Sequence, residues 1–265
     1  MKKKVKDGGL EKMVKSGYEQ YVVIPDLHAP YHDEESVQTA INFVKYQKPD
    51  HVVFIGDVVD LYSVSSFDKN PKRANKLQDE YDCANEILTE FRKAAPKAKM
   101  TYIEGNHEVR MKRYLWRHPE LHGLRCLRLP QLLGLKELDI AYKQELFWRN
   151  TFLFTHGKRF GMYASRWELA DNGVSGMSGH NHRLSVFSKT DKTGVKAWYH
   201  IGHLTDVEAA GEYRKDPDWQ QGLGVVYFHN RKNRFFAEAI PVVDNKFIYH
   251  GVLYTPEGYE RLGRK

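Results

Sequence analysis

The chain has 265 residues, of which 41% are hydrophobic and 28% are charged, a length that suits one large domain or one domain with an insertion. Its formal net charge of +7 favours polyanionic partners or substrates, although solubility alone would also account for it. No apolar stretch is long enough to span a bilayer, the N-terminus lacks the apolar run of a secretory signal, and the two cysteines form no C-x-x-C pair. We therefore expect a cytoplasmic protein with no membrane partner, no zinc ribbon and no disulfide framework.

Short apolar runs alternate with helical patterns in the first part of the chain. Runs rich in Val, Ile, Phe and Tyr predict strands at 21–28, 51–60, 100–108 and 151–157. A helix should begin at Asp33 and end before Pro49, and an amphipathic helix should extend from Arg73 to Lys93. Strands that alternate with helices indicate β-α-β units and a sheet that is at least partly parallel.

Three other segments depart from this alternation. Residues 109–150 are dense in Arg, Lys and His and predict an insertion of one or two basic helices. A solvated helical face is the commoner interpretation of such a segment, and a substrate-contacting surface is the alternative. Beyond residue 183, polar turns between apolar runs predict hairpins of mainly antiparallel strands, in a second sheet packed on the first. Residues 1–20 are predicted as a basic arm outside a domain of residues 21–265.

Metal-ligand residue types follow four apolar runs in turn, and a pair of histidines at a fifth strand end completes the set. They are Asp26 and His28, Asp57 and Asp60, Asn106 and His107, His156, and the pair His180 and His182. The last pair alone is a weak signal, more often two surface histidines than a site, although on an extended backbone both rings would point the same way. In parallel α/β sheets, however, ligands bind outside the carboxyl ends of the strands. Five such placements in order therefore predict one metal site.

The mixture of donors indicates the class of metal. Carboxylate, imidazole and amide donors together suit first-row cations such as Mn, Fe or Zn better than Mg. Leaving out Asp60 and His107, seven candidate ligands exceed what one zinc-like ion takes, whereas two ions that share a carboxylate would use them all. Such a pair, roughly 3.5–4 Å apart, binds a phosphoryl oxygen and lowers the pKa of a bridging water, which then attacks in line. We expect two divalent ions, manganese first, with iron, zinc or nickel as alternatives.

Together these blocks resemble the calcineurin-like metallophosphoesterases over residues 21–205. The matching motifs, in the family's order, are D-L-H (26–28), G-D-V-V-D (56–60), G-N-H-E (105–108), T-H-G (155–157) and G-H-N-H (179–182). More loosely, I-G-H-L-T-D (201–206) and D-W-Q-Q-G-L-G-V-V (218–226) resemble the bacteriophage and bacterial members. The resemblance implies an α/β fold of four layers, α-β-β-α, built as a double β-sandwich. For a phage-encoded protein, the cytoplasm would be that of the host.

The resemblance also implies a role for each residue. One metal is expected at Asp26, His28, Asp57 and His182. The second is expected at Asn106, His156 and His180, with Asp57 bridging the two. His107 matches the family's catalytic histidine, which acts as a general acid on the leaving oxygen or donates to the phosphoryl group. Asp60 would then orient the imidazole of His107 and stabilise its charged form.

Two phosphate-clamping arginines of the protein Ser/Thr phosphatase branch are missing from this sequence. Leu61 follows the G-D-V-V-D motif, and residues 103–104 are Ile and Glu where the other arginine would precede G-N-H-E. We therefore do not expect phosphoprotein phosphatase activity. The candidate phosphate contacts in their place, each with ordinary solvent exposure as the alternative, are Arg183, Arg110, Lys158 and Arg159. His200 and His203 lie near the site in the looser likeness, but packing is favoured over ligation for both.

Three functions remain open at this point. The leading hypothesis is hydrolysis of phosphodiester bonds, in nucleic acid or nucleotides, by attack of a metal-bridging hydroxide. The runner-up is a phosphomonoesterase acting on small molecules or nucleic-acid ends. The third is a non-catalytic scaffold on the same fold, which the complete ligand set and the retained His107 disfavour.

Overall fold

The computed structural model describes residues 17–70, 73, 76–210 and 217–263. Its first strand, β1, covers Tyr18–Ile24 and so begins inside the arm predicted at 1–20. The remainder of that arm, up to residue 16, lies outside the described residues. In the described part of the chain, none of the helices combines the length and the apolar character needed to cross a membrane.

Six strands form the first sheet. Besides β1 they are β2 (His51–Phe54), β3 (Lys99–Ile103), β4 (Ile140–Lys143), β10 (Gly222–His229) and β11 (Phe235–Pro241). The order across the sheet is β11-β10-β1-β2-β3-β4. Strands β1 to β4 run parallel, whereas β10 and β11 form an antiparallel hairpin beside β1. The predicted parallel sheet is therefore confirmed.

A second sheet has five strands and a third has three. The second contains β5 (Glu145–Trp148), β6 (Phe152–Thr155), β7 (Ser175–Ser178), β8 (Leu184–Asp191) and β9 (Gly194–Ile201), in the order β5-β6-β7-β9-β8. The third is an antiparallel meander of β12 (Phe247–Tyr249), β13 (Val252–Thr255) and β14 (Gly258–Arg261).

Six α-helices occur in the described part of the chain. They are α1 (Glu34–Gln47), α2 (Leu77–Ala94), α3 (Glu108–Arg117), α4 (Leu129–Leu132), α5 (Ala164–Asn172) and α6 (Val207–Ala210). As predicted, Asp33 marks the start of α1: it caps the helix, and its side chain accepts a hydrogen bond from the Ser36 N–H at 2.9 Å. The second helix begins at Leu77, four residues later than the predicted Arg73.

Alternate residues of β1 face two different cores, which explains why the last four residues of the strand, 21–24, are all apolar. Val23 packs with Phe154 and Phe228 between the two large sheets. Its neighbours Val22 and Ile24 face the opposite side, where α1 and α2 cover the first sheet. On the far side of the second sheet, α5 buries its Leu169 against Trp198. These four layers, α-β-β-α, confirm the predicted double β-sandwich.

Two predictions about the later segments are wrong in part. Residues 109–150 are helical only up to 132, because 140–143 and 145–148 form β4 and β5 at the edges of the two large sheets. The predicted hairpins beyond residue 183 are confirmed as β8–β9 and β10–β11. However, β10 and β11 extend the first sheet, and β7 lies parallel to both β6 and β9. The second sheet is thus mixed rather than mainly antiparallel.

Candidate metal centre

The loops that follow β1, β2, β3, β6 and β7 meet at one edge of the sandwich. Backbone hydrogen bonds join the first two loops, since the N–H groups of Leu27 and His28 both donate to Asp57 O, at 3.0 and 2.9 Å. The His107 N–H donates to Asp57 Oδ1 at 2.8 Å and attaches the third loop. The His180 N–H donates to the Asp26 carboxylate and attaches the loop after β7. Side chains from five separated motifs therefore converge.

The first cluster consists of Asp26, His28 and His182. Nε2 of His182 lies 2.9 Å from Asp26 Oδ2 and 3.1 Å from Nε2 of His28. One donor atom from each of the three residues lies within 4.8 Å of the other two. The sequence predicted all three for one metal, and the structure brings them together.

The second cluster consists of Asp57, His156 and His180, with Asn106 beside them. Nδ1 of His180 lies 3.2 Å from Nε2 of His156. The Asn106 Oδ1 atom lies 2.7 Å from that His180 nitrogen and 2.8 Å from the His156 nitrogen. The four residues predicted for the second metal thus present their donor atoms to one point.

The Asp57 carboxylate lies between the two clusters. Its Oδ2 atom is 3.2 Å from His156 Nε2 in the second cluster and 3.8 Å from His28 Nε2 in the first. Its Oδ1 atom is already occupied by the His107 N–H, so Oδ2 is the oxygen that faces both clusters. This placement suits the predicted bridging role, which stays a prediction.

The distances between the imidazole nitrogens suit ligands of a shared metal ion. Two pairs of imidazole nitrogens, His28 with His182 and His156 with His180, lie only 3.1 and 3.2 Å apart. A metal binds imidazole nitrogen at about 2.0–2.1 Å, so two nitrogens on one ion lie about 3 Å apart. The spacing within each cluster therefore matches ligands that share an ion.

The protonation of the clusters also suits metal binding. Burial lowers the pKa of His28 to about 4, with a contribution from His107 nearby, and burial together with His156 lowers the pKa of His180 to about 4. Burial raises the pKa of Asp57, but the neighbouring His107 and His156 outweigh it and hold that pKa well below its usual value. His28 and His180 are thus neutral, the form that binds metals. Burial lowers the pKa of His156, but Asp57 outweighs it and raises that pKa to about 10, so this ring has to lose a proton when an ion binds.

Four of the predicted ligands have a left-handed backbone. The φ angles are 53° at His28, 49° at Asp57, 61° at His180 and 55° at His182. Such a conformation at a non-glycine residue costs about 1–3 kcal/mol and concentrates at functional sites. It also corrects the extended geometry considered for the His180–His182 pair, because the two rings diverge into different clusters.

Glu108 connects the loops that follow β2 and β3, a role that the sequence did not predict. Its buried carboxylate accepts from the N–H groups of Asp57 and Val58, both at 3.0 Å, and of Gly105 at 2.8 Å. The Tyr102 hydroxyl donates to it at 2.5 Å. One carboxylate therefore fixes the loop after β2 to the loop after β3.

Asp60 holds two histidines at once. Its Oδ2 atom lies 3.1 Å from His28 Nδ1 and 3.4 Å from His107 Nδ1, and its carbonyl oxygen lies 2.9 Å from the same His107 atom. Burial raises the pKa of Asp60, but hydrogen bonds from His107 and His28 outweigh it and lower that pKa far below its usual value. A carboxylate on the remote nitrogen of a ligand histidine fixes its tautomer and orientation. Asp60 is thus placed to orient His28 as well as the predicted His107.

Arg110 was predicted as a phosphate contact, but the structure buries it beneath the site. Its guanidinium donates to the Asp60 carbonyl oxygen at 2.8 Å and to the Asp60 carboxylate at 3.1 Å. A second guanidinium nitrogen lies 2.8 Å from His107 Nε2. Because a guanidinium can only donate, this His107 nitrogen is assigned as the acceptor in this arrangement. Arg110 is therefore placed to orient His107.

The motifs that form this centre also relate the chain to known proteins. A sequence model of the calcineurin-like phosphoesterases matches residues 20–230. The chain belongs to the calcineurin-like phosphoesterase family. Among curated proteins it is similar to the "Gene 54 protein" of Mycobacterium phage D29, at 27% identity over 253 residues, and to that of Mycobacterium phage L5, at 27% over 254 residues. Each alignment covers 87% of this chain and 96% of the relative, and both relatives agree with the predicted bacteriophage or bacterial type.

Among solved structures, the chain is similar to Vacuolar Protein Sorting 29 from Cryptosporidium parvum. That similarity has a TM-score of 0.47 and 13% identity, and covers 92% of this chain and 99% of the other. A dimetal phosphatase from Danio rerio gives a TM-score of 0.42 at 11% identity, covering 91% of this chain and 98% of the other.

The residues that replace the two missing phosphatase arginines are structural in this calcineurin-like phosphoesterase. Leu61 is fully buried in the core beneath α1 and α2, and Ile103 lies in the core between the two large sheets. The Glu104 carboxylate pairs with Lys112 and accepts from the Tyr142 hydroxyl. None of these three side chains is placed to clamp a phosphate group.

The other predicted phosphate contacts are held in ion pairs. Arg159 lies 2.7 Å from the Asp171 carboxylate, and both side chains are exposed. Arg183 lies 3.0 Å from Asp218 at the rim of the first cluster. Exposed ion pairs contribute little to stability, so a phosphate can displace Asp171 from Arg159, whereas the Arg183 side chain is only 17% exposed. Their contact with substrate stays a prediction, as does that of the exposed Lys158.

The two histidines that we expected to pack are indeed buried. Nδ1 of His203 accepts from the Thr205 N–H at 3.0 Å, and Nδ1 of His200 lies 3.1 Å from the carbonyl oxygen of Gly179. Trp219 covers the other side of the first cluster, with its ring centroid 4.4 Å from that of His182. These contacts position the His180–His182 loop.

Adding a methyl group at Gly179 should disrupt the first cluster. A Cβ atom there would collide with Asp26 Oδ1 and lie 3.1 Å from the carboxyl carbon. We expect Gly179→Ala to weaken Mn²⁺ binding by about 10–100-fold, the scale for a displaced support of a metal ligand. Isothermal titration of the metal-free protein measures this affinity. Gly263→Ala, where a Cβ meets nothing within 4 Å, is the control, and equal Mn²⁺ affinity in both variants would contradict the prediction.

Proposed function

We propose that this chain is a metal-dependent hydrolase that cleaves phosphodiester bonds in nucleic acid or nucleotides with two divalent ions. The observation that carries the proposal is the pair of donor clusters on either side of Asp57 Oδ2, with His107 Nε2 3.8 Å from the same oxygen. When bound, two such ions polarise a phosphoryl oxygen and lower the pKa of a water between them.

The side chains of this site have separate tasks in the reaction. The seven predicted ligands hold the ions. Among them Asn106 is exposed and His180 and His182 are partly exposed, so the substrate enters from the side of these three residues. His107 delivers a proton to the leaving oxygen. In the resting arrangement its Nδ1–H donates to the Asp60 carbonyl oxygen, while Nε2 accepts from Arg110. A proton taken up at Nε2 displaces the bond to Arg110, and the same nitrogen then gives that proton to the leaving oxygen, while Arg110 stays bound to Asp60.

Charge supports a polyanionic substrate. Helix α3 begins directly after His107, and the exposed basic residues of this helix and the turns after it are Lys112, Arg113, Arg117, Arg125 and Arg128. Together with the net charge of +7, they favour nucleic acid over a small neutral ester. Because Lys and Arg release counterions when they bind phosphates, affinity for a polymer should fall steeply with salt.

The donor set also supports the choice of metal. Carboxylate, imidazole and amide oxygen together favour manganese, with iron, zinc or nickel as alternatives that share these preferences. Metal analysis of the protein as isolated, before any metal is added, tests this choice.

An activity panel with Mn²⁺ at low salt tests the proposed reaction. The substrates are bis-p-nitrophenyl phosphate, p-nitrophenyl phosphate, single- and double-stranded DNA, and RNA, each with the wild-type protein and with His107→Ala. We expect cleavage of diesters and polymers, and a loss of about 10²–10⁴-fold in the variant, the scale of a general acid. Cleavage of monoesters alone would replace the proposal by the phosphomonoesterase. No activity, in a protein that is equally stable without metal, would favour the scaffold.

A further inference from the structure

One face beside the metal centre exposes several large apolar and basic side chains. The segment K-R-F-G-M-Y-A-S-R-W, residues 158–167, connects β6 to α5 and begins two residues after His156. Its exposed fractions are 80% for Phe160, 64% for Tyr163 and 50% for Trp167. The three cationic residues of the segment, Lys158, Arg159 and Arg166, are exposed as well. We call residues 158–167 the aromatic–basic segment.

Hydrogen bonds hold this segment in place on both sides of Phe160. The buried Glu168 carboxylate accepts from the backbone N–H groups of Lys158 and Arg159, the latter at 2.7 Å. After Phe160, the Gly161 N–H donates to Asn181 Oδ1 at 2.7 Å, and Asn181 Nδ2 donates to the Gly161 carbonyl oxygen at 3.2 Å. Phe160 lies between these two anchors. Its exposure is therefore imposed by a fixed backbone.

The anchor at Asn181 also sets the segment relative to the catalytic edge. Asn181 is buried between His180 and His182, the two ligands of the G-H-N-H motif. As a result, the Phe160 ring centroid lies 6.3 Å from that of His180, at the second cluster. The Trp167 backbone N–H donates to the Tyr163 carbonyl oxygen at 3.2 Å, so these two residues lie about one helical turn apart at the start of α5. Phe160 therefore lies beside the second cluster, and two further aromatic residues follow it in the segment.

We propose that the aromatic–basic segment binds an unpaired stretch of nucleic acid, and that Phe160 stacks on the base next to the scissile phosphate. Sequence-independent single-strand sites combine a basic surface for the phosphates with aromatic rings for the bases. A base can reach such a ring only when it is outside a duplex, so the segment selects single strands, loops or ends. This inference rests on the proposed function, since it places a phosphodiester at the second cluster.

The charge of the segment supports nucleic acid rather than a protein partner. Charged residues are depleted at the centre of a protein docking surface, whereas here two cationic residues precede the first ring and a third, Arg166, precedes the last. Arg166 lies over the Trp167 ring, 5.5 Å from its centroid. The Asp171 partner of Arg159 is exposed and can give way to a phosphate. The surface is also continuous with a site that holds phosphate esters.

Binding of two oligomers with the same backbone tests the proposal. We would measure the fluorescence anisotropy of a labelled ten-residue oligothymidylate and of an abasic oligomer of equal length, all in a His107→Ala background that prevents turnover. Phe160→Ala should raise the Kd for the oligothymidylate by about 5–100-fold and leave the abasic oligomer unchanged. Phe160→Trp should restore binding. The matched control is Phe236→Ala, which removes another exposed ring, 61% exposed, from β11.

The outcomes separate this inference from the proposed function. If Phe160→Ala weakens both oligomers equally or neither, the base contact is wrong, whether or not the wild-type protein cleaves DNA. If neither oligomer binds, the segment serves a protein partner and the inference is overturned. If the base-dependent loss occurs while the wild-type protein cleaves no diester, the single-strand site stands and the proposed reaction fails.

Discussion

Replacing Asp60 by asparagine should reduce kcat by about 10²–10⁴-fold at saturating Mn²⁺, the scale of a disabled general acid. An amide keeps the shape of the side chain but lacks the charge that stabilises a protonated His107. The same change should weaken Mn²⁺ binding by about 10–100-fold, because Asp60 also fixes the His28 ring through Nδ1, at 3.1 Å. Turnover of bis-p-nitrophenyl phosphate, measured across a Mn²⁺ titration, separates the two effects.

The control for Asp60→Asn is Asp68→Asn, which removes an equal charge from an exposed position in the same loop. Its kcat and Mn²⁺ affinity should stay at the wild-type values. If Asp60→Asn reached the wild-type kcat once the metal was saturating, Asp60 would support metal binding only. The assignment of His107 as the acid would then lose its main structural support.

The convergence of the predicted ligands was predictable because the rules that place them are simple. Each follows a short strand, apolar in every case but β7, and the carboxyl ends of neighbouring parallel strands lie at the same edge of a sheet. Asp26, Asp57 and Asn106 follow β1, β2 and β3, which pair side by side in parallel register. The spacing along the chain therefore carried most of the information about the site.

The contacts of Arg110 with Asp60 and His107 were missed because they depend on the position of a helix. The sequence shows a basic residue near a motif, which suits either a substrate contact or a structural role. In the structure α3 begins at Glu108, so that His107 and Arg110 lie one turn apart on the same face. That spacing of three residues was a signal available in the sequence. The choice of Asp60 as the second partner depends on the packing of α3 against the loop after β2.

The strands β4 and β5 were missed for a different reason. The segments I-A-Y-K and E-L-F-W are four residues long, and each buries only one of its side chains because both strands lie at sheet edges. Edge strands bury fewer side chains and show weaker periodicity than central ones. Their identity comes from pairing with β3 and β6, which no local pattern contains.

The structural role of Glu108 was not predicted from the sequence. Its replacement by glutamine should destabilise the protein. Whichever way the amide lies, its NH₂ group faces at least one backbone N–H that now donates to the carboxylate, such as that of Val58 at 3.0 Å. A buried donor left without an acceptor costs about 1–3 kcal/mol, and we expect a loss of that size in the free energy of unfolding. Urea denaturation of the metal-free protein measures it.

The same substitution should also weaken metal binding, although Glu108 is not a predicted ligand. Asp57 has a φ of 49°, and its N–H donates to Glu108 at 3.0 Å, so the carboxylate helps to hold the strained residue that faces both clusters. Tyr102→Phe is the matched control, because it removes one hydroxyl donor to Glu108 and leaves the acceptors of all the loop N–H groups in place. We expect Mn²⁺ affinity to fall in Glu108→Gln and to be retained in Tyr102→Phe. If both variants bound Mn²⁺ as tightly as the wild type, the left-handed geometry of Asp57 would be held by the metal itself rather than by Glu108.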